Sequence, residues 1–416
     1  MKKPSAKEKW FLRHGIGKVP LGWRKVSFGE LVTLSQYGLS SDTGEEGPFP
    51  LLKMNNINDG QLVFDGLDLC RVKGKDIDKY RLRRGDFLFN RTNSRDLVGK
   101  ACLYTKDDIC FAASYIVRFV FSDEVNPNYV NYWWQNDMAK HRLAALSTIG
   151  VSQSNINPTV LQKSFFVLLP RRLEQDAIVK ILSHLDKHIG LTEDLISYKQ
   201  ERRRWLAQHL LTGMRRMPGF TKRWRTVHLG DVFINRLETK FTDLPLVAIT
   251  GDNGVVRRDD LIRRDTSAED KNRYLRICPG DIGYNTMRMW QGVCGFSRLE
   301  GIVSPAYTVV TPTGAVDGEF MASLFKSPPV VYLFHRHSQG LVNDTLNLKY
   351  RYFAKIKVSI PAKEEQVAIA AILRVADREL DLLRTQVVAL REQKRGLMQQ
   401  LLTGKRRMKA AIEVTA

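Results

Sequence analysis

The sequence predicts an α+β protein made of two unequal copies of one module, each copy an α+β domain followed by a long helix with a coiled-coil seam. Three observations carry this. The chain has 416 residues, more than one typical core uses and enough for two. A 48-residue stretch recurs without a gap 191 positions later. Both copies of that stretch place apolar residues at heptad spacing.

The repeat aligns Pro170–Met217 with Pro361–Met408, and 20 of the 48 positions are identical. The identities crowd at the two ends, Glu174-Gln175 with Glu365-Gln366 and Leu210-Leu211-Thr212-Gly213 with Leu401-Leu402-Thr403-Gly404. Pro170 and Pro361 precede acid-rich first turns, and Gly213 and Gly404 stand where a left-handed cap ends a helix.

Steps of four and three residues trace the first seam through Ile178, Leu182, Leu185, Ile189, Thr192, Ile196, Lys199, Arg203, Leu206 and Leu210. The second runs through Ile369, Leu373, Ala376, Leu380, Leu383, Val387, Leu390, Lys394, Leu397 and Leu401. Both carry a cation at the same step, Arg203 and Lys394, and a polar seam residue can fix register. The seams suit each other as partners, but the pattern alone also allows a parallel or an intermolecular pair. The exposed faces and the Leu-Leu-Thr-Gly ends are left as candidates for partner docking.

The segments before the helices diverge but keep their landmarks in order. Trp23, Val26, Gly29 and Glu30 answer to Trp224, Val227, Gly230 and Asp231; Gly85-Asp86 and Asn90 answer to Gly280-Asp281 and Asn285; Tyr115, Gly150 and Asn157 answer to Tyr307, Gly340 and Asn347. Asp86 to Asn90, Ser114 to Phe121 and Ile302 to Val310 read as strands, and Tyr129 to Leu146 reads as a helix. The division expected is a domain over 1–169, a helix segment over 170–217, a second domain over 218–360, a second helix segment over 361–408 and a tail over 409–416.

Sixty-five Lys and Arg face forty-four acids, a net charge of +21, in a chain that is 43% hydrophobic. Such apolar content excludes wholesale disorder. The cationic excess is the footprint of a phosphate-neutralising protein, ahead of a generally basic protein or a peripheral membrane binder. No apolar run reaches the roughly 18 residues of a membrane span and the start has no signal-peptide core, so a cytoplasmic protein is expected. Five cysteines without a C-x-x-C pair are expected to be reduced and buried, with no metal site.

Catalytic signatures are weak. An adenine methyltransferase needs an Asn/Asp/Ser-Pro-Pro-aromatic tetrapeptide for the flipped base. Ser327-Pro328-Pro329-Val330 lacks the aromatic, and Asn126-Pro127-Asn128-Tyr129 lacks the second proline. Gly99-Lys100-Ala101 and Gly404-Lys405-Arg406 lack the earlier glycine and the hydroxyl of a P-loop. Glu238-Thr239-Lys240 after Asp231 only faintly suggests a nuclease metal site, and the other half has Tyr37-Gly38-Leu39 there.

EQDAIVKILSHLD to LLTGMRR and EQVAIAAILRVAD to LLTGKRR, with the openings PLGWRKVSFGEL and KRWRTVHLGDV, closely resemble the specificity subunit of type I restriction-modification enzymes over nearly the whole chain. The resemblance implies two α+β target-recognition domains, each reading one half of a split duplex DNA sequence. It implies that the two helices pack antiparallel as a spacer. It also implies partners: modification subunits that methylate adenine and restriction subunits that translocate and cut. S-adenosylmethionine, ATP and magnesium are then expected on those partners and none in this chain, which would be non-catalytic. The competing readings are a stand-alone basic nucleic-acid-binding scaffold, or a nuclease or methyltransferase subunit with its own active site.

Base readout needs bidentate donors on loops that can enter a groove. The candidates are Asn90, Arg91, Asn93, Ser94 and Arg95 in one half and Asn285, Arg288, Trp290 and Gln291 in the other. A second cluster is Ser152, Gln153, Ser154 and Asn155, answered by Asn343, Asp344 and Thr345. A third is Lys53, Asn55, Asn56 and Asn58, answered by Thr250, Asp252 and Asn253.

Overall fold

The computed structural model describes residues 19–40, 47–58, 60–93, 99–149, 154–251, 253–261, 270–342 and 345–408. Contacts divide them into two units: residues up to Thr192 together with those from Gln386 onward, and Glu193–Thr385.

In the first unit, β1 (Arg24–Ser27), β2 (Val32–Tyr37), β3 (Phe87–Asn90), β4 (Ala101–Leu103), β5 (Ile116–Phe121) and β6 (Phe166–Leu169) form two antiparallel sheets. One pairs β1 with β6, and the other has the order β2-β5-β3-β4. β3 is apolar without alternation because both its faces are covered. Phe87 and Phe89 enter the main core, while Leu88 enters a second cluster with Leu52, Tyr104 and Ile116. In the main core Phe28 meets Phe119 edge-on at 5.1 Å, and Trp134 packs on Phe165 at 4.8 Å.

The helix expected over Tyr129 to Leu146 is two helices, α1 (Pro127–Gln135) and α2 (Asp137–Leu146). Asn136 breaks it. Its backbone is extended, and its side-chain carbonyl accepts from Ala139 N at 2.8 Å, so it starts a new helix instead of continuing the old one. Next comes α3 (Arg172–Leu211), whose residues through Thr192 belong to this unit.

In the second unit, β7 (Arg225–His228) pairs with β12 (Lys357–Ile360). β8 (Phe233–Arg236), β9 (Ile282–Asn285), β10 (Cys294–Phe296) and β11 (Tyr307–Pro312) form a sheet in the order β8-β11-β9-β10. Taken along the chain, that is the strand order of the first unit. α4 (Gly318–Leu324) and α5 (Pro328–His337) follow, then α6 (Lys363–Leu401).

The strand expected over Ile302 to Val310 is divided. Gly301–Val303 pairs with Leu275–Ile277, and β11 begins only at Tyr307. Pro305 lacks the amide a ladder needs, and Tyr307 N closes a turn on Ser304 O at 2.9 Å.

Every heptad position is buried or half-buried. In the first unit Ile178 and Leu182 of α3 join one core with Met398 and Leu401 of α6. In the second, Leu210 joins Ile369 and Leu373. Partner numbers fall on one helix as they rise on the other: Glu174 meets Arg407 and Asp186 meets Lys394, while Lys199 meets Glu379 and Arg203 meets Asp377. The helices therefore pair antiparallel within each unit, and the parallel and intermolecular alternatives fall away. Both seam cations have acids opposite. Arg203 is bidentate on Asp377 at 2.8 and 3.1 Å, and Lys394 lies 2.6 Å from Asp186. These two pairs are equivalent under the 191-residue offset.

Gly213 and Gly404 have φ of 71° and 69°, the left-handed caps the sequence implied. All five cysteines are free thiols. Four are buried, and burial pushes the Cys294 thiol up to about 12. Cys278 departs from expectation by being half-buried, since it starts the turn that Asp281 closes by accepting its N–H at 2.7 Å. Among the described residues no helix is long and apolar enough to cross a membrane.

Candidate nucleic-acid interface

Three separate sequence signatures meet in one cluster that holds each domain to its helices. In the first unit Arg407 donates to both oxygens of the buried Glu174 at 2.7 and 2.9 Å, Trp23 Nε1 donates to the same carboxylate at 2.9 Å, and the guanidinium lies 5.6 Å from the Trp23 ring. In the second, Arg216 donates to Glu365 at 2.8 and 2.7 Å and lies 6.0 Å from the Trp224 ring. The two clusters differ in one bond. Trp224 Nε1 is buried with no acceptor among the described residues.

The adjacent glutamines tie the first turn of each helix to the domain. Gln175 Oε1 accepts from Asn126 N at 2.7 Å and Gln366 Oε1 from Asp317 N at 2.9 Å; their amides donate to Pro170 O and Pro361 O, both at 2.9 Å. The Gly-Asp landmarks are equally structural. Asp86 pairs with Arg118 at 2.7 Å, and Asp281 with Arg236 at 2.8 Å. Burial pushes the Asp86 carboxyl above its ordinary range, although the Arg83 N–H and the Arg118 guanidinium pull it down.

On this frame the first unit brings two of the predicted polar clusters together. Thr92–Asn93 pairs antiparallel with Ser154–Asn155, which pairs in turn with Thr148–Ile149, and Ile156 N donates to Arg91 O at 3.0 Å. Arg91 and Asn155 are exposed. Asn90 and Ser154 are buried, and Asn90 Nδ2 donates to Thr92 O at 2.8 Å. Asn90 therefore shapes the turn that presents Arg91 and touches no solvent. Ser94, Arg95, Ser152 and Gln153 lie outside the described residues.

The third cluster is divided by burial. Asn55 and Asn58 are exposed, but Asn56 is buried, accepting from Lys53 N at 2.9 Å and donating to Val63 O at 3.3 Å. Lys53 is ion-paired with Asp68.

In the second unit the residues after β9 wrap one turn of 3-10 helix, Met289–Gln291. Asn285 Oδ1 accepts from Met287 N at 3.0 Å, and Arg288 and Gln291 are exposed. Trp290 is half-buried, donating to Met287 O at 3.1 Å with its ring edge-on to His335 at 5.8 Å, so it serves the turn. Leu348 N donates to Thr286 O at 2.9 Å, which draws the exposed Thr345 segment toward this turn. Thr250 Oγ1 accepts from Asn253 N at 3.0 Å. Asp252, Asn343 and Asp344 lie outside the described residues.

The weak catalytic signatures have structural uses. Asn126 caps α1 and Ser327 precedes α5, each followed by the proline that suits a first helical position. Glu238 lies between Arg276 and Arg236, which hold its carboxyl below the ordinary range. Among the described residues no group of three or more His, Cys, Asp or Glu could hold a metal ion.

Sequence reasoning missed Tyr37, whose ring lies 5.6 Å from the Arg91 guanidinium. Nothing local joins residues 54 positions apart; only the β2-β5-β3 order does.

The description "Type I restriction modification DNA specificity domain" matches residues 20–197. The chain is 24% identical over 435 residues to the putative type I restriction enzyme MjaX specificity subunit of Methanocaldococcus jannaschii, across 97% of this chain and 98% of that one. It is 24% identical over 208 residues to the type I restriction enzyme EcoKI specificity subunit of Escherichia coli K12, across 49% of this chain and 44% of that one. In fold it is similar to the type I restriction-modification S subunit from M. genitalium, with a TM-score of 0.57 at 15% identity, covering 92% of this chain and 98% of that chain. It is also similar to the HsdS subunit from Thermoanaerobacter tengcongensis, with a TM-score of 0.50 at 18% identity, covering 93% and 98%.

Proposed function

We propose that this chain, which belongs to the type I restriction-modification specificity subunit family, is the address-reading subunit of a complex whose other subunits do the chemistry. Each unit reads one part of a bipartite duplex target. The observation that carries this is a shared frame with different exposed loops. Both units have the same strand order and the same Trp-Glu-Arg cluster, yet Arg91 and Asn155 in one stand where Arg288, Gln291 and Thr345 stand in the other. A rigid frame with variable loops suits two readers of different sequences.

In this reading the chain works in the cytoplasm and is not itself catalytic. Modification subunits would supply S-adenosylmethionine and adenine methylation. Restriction subunits would supply ATP, magnesium, translocation and cleavage. The net charge of +21 supplies sequence-independent attraction to DNA, and the loops supply discrimination.

Selection from randomised duplexes by the full chain tests the reading. Two short sequence blocks at a fixed separation are expected. A single contiguous block, or equal salt-dependent binding to single-stranded RNA, overturns it.

A further inference from the structure

A cleft of about 550 Å3 opens in the first unit where the end of β2, the helix Lys75–Tyr80, the residue after β3 and the turn before β5 meet. Its lining includes Tyr37, Lys79, Tyr80, Arg91, Ser114 and Tyr115, with no carboxylate among the described residues that line it. Arg91 lies 5.6 Å from the Tyr37 ring centroid and Lys79 lies 4.8 Å from that of Tyr80. Neither cation has an ion-pair partner among the described residues, and both are exposed.

A second cleft of this unit, about 730 Å3 between α2 and the end of α6, differs. Two of its cations are neutralised within the fold, Lys394 by Asp186 and Arg395 by Asp137. Arg91 and Lys79 of the smaller cleft have no such acid opposite among the described residues.

We infer that it seats the phosphodiester backbone of duplex DNA, with Arg91 and Lys79 as phosphate ligands and the Tyr37 and Tyr80 rings holding them in place. A cation stacked on a ring keeps outward N–H groups for an anion while the ring limits its freedom. Each ring lies against a cation, so the described lining offers N–H donors to an anion before it offers a bare ring to a base, and this favours phosphate. Arg91 then positions the duplex and does not read a base. The inference rests on the reading of the chain as a duplex-binding subunit.

The test is binding of the full chain to random duplexes and to duplexes carrying the selected target, over a range of salt. Arg91→Gln and Lys79→Gln are each expected to reduce the slope of log affinity against log salt by about 1. Each should weaken both kinds of duplex by the same factor, with the thermal midpoint unchanged, and Lys79→Arg should restore the slope. Tyr37→Leu removes the ring without changing charge and is expected to weaken binding about threefold at an unchanged slope. Wild-type slopes in both charge variants overturn the cleft assignment while leaving the duplex reading intact. A loss confined to duplexes with one half-site intact would make Arg91 a base reader and overturn it too. If the wild-type chain binds no duplex, the reading beneath the inference fails, and the inference with it.

Discussion

Arg407 lies bidentate on Glu174, 233 residues earlier in the chain, and Arg216 repeats the contact on Glu365. The end of one repeated helix segment thus closes on the start of the other. Because the carboxylate is buried and the guanidinium is not, the two partners are unequal: removing Arg407 strands a charge inside the protein.

Arg407→Ala is accordingly expected to cost about 3 to 5 kcal/mol, the range for breaking a buried pair from one side. Glu174→Gln combined with Arg407→Ala should cost less than the sum of the two single changes. Denaturant unfolding of the four forms measures the coupling, and strict additivity would show that the pair does not act as one.

Leu382 and Leu383 are neighbours of identical chemistry on α6, but Leu382 is 62% exposed while Leu383 is half-buried in the seam. Leu383→Asp should destabilise by about 2 to 3 kcal/mol and Leu382→Asp by about 0.5 kcal/mol or less. Equal shifts in thermal midpoint would contradict the register.

The seam pair of Asp186 and Lys394 is partly buried, and Asp186 also accepts from Tyr132 Oη at 2.6 Å. Lys394→Leu alone should destabilise, because it leaves the partly buried carboxylate without its cation. Asp186→Leu together with Lys394→Leu should recover most of that loss. A double variant no more stable than the single one would show that the pair contributes more than mutual neutralisation.

In the second unit Arg288 and Gln291 are the exposed candidates for base contact. Arg288→Ala is expected to cost about 1 to 3 kcal/mol on the intact target. It should cost nothing further once the half-site read by the second unit has been scrambled. An equal loss on both duplexes would place Arg288 on the backbone.

A fragment of residues 1–217 lacks the α6 residues Met398, Leu401 and Leu402 that complete the core around Ile178 and Leu182. Under the 191-residue offset, Ala207, Leu210, Leu211 and Arg216 of a second copy can stand in for Met398, Leu401, Leu402 and Arg407. The fragment should dimerise, and Arg216→Glu should block it by opposing Glu174. Sedimentation decides: a wild-type monomer would remove the exchange argument, since an uncovered apolar seam is costly in water.

The helices and their register were legible because a repeat at constant offset and a 3.5-residue period are properties of order along the chain. They survive without knowledge of what lies opposite. The same holds for the caps at Gly213 and Gly404 and for the strand Phe87–Asn90. Local reading failed where one residue interrupts an otherwise uniform pattern, as Asn136 does between α1 and α2 and Pro305 does before β11. It also failed to separate exposed polar residues from those buried as turn supports. Asn56, Asn90 and Ser154 share composition with Asn55, Arg91 and Asn155, and only the packing around them tells the groups apart.

By itself the sequence determined the two-copy plan, the heptad seams and the cationic balance, since each follows from composition and period. Only the tertiary structure decided that the helices pair antiparallel, that the Trp, Glu and Arg signatures form one cluster, and that Arg91 shares a cleft with Tyr37 and Lys79. Those are contacts between residues distant in the chain, set by which surfaces must be buried together and by no rule of local spacing.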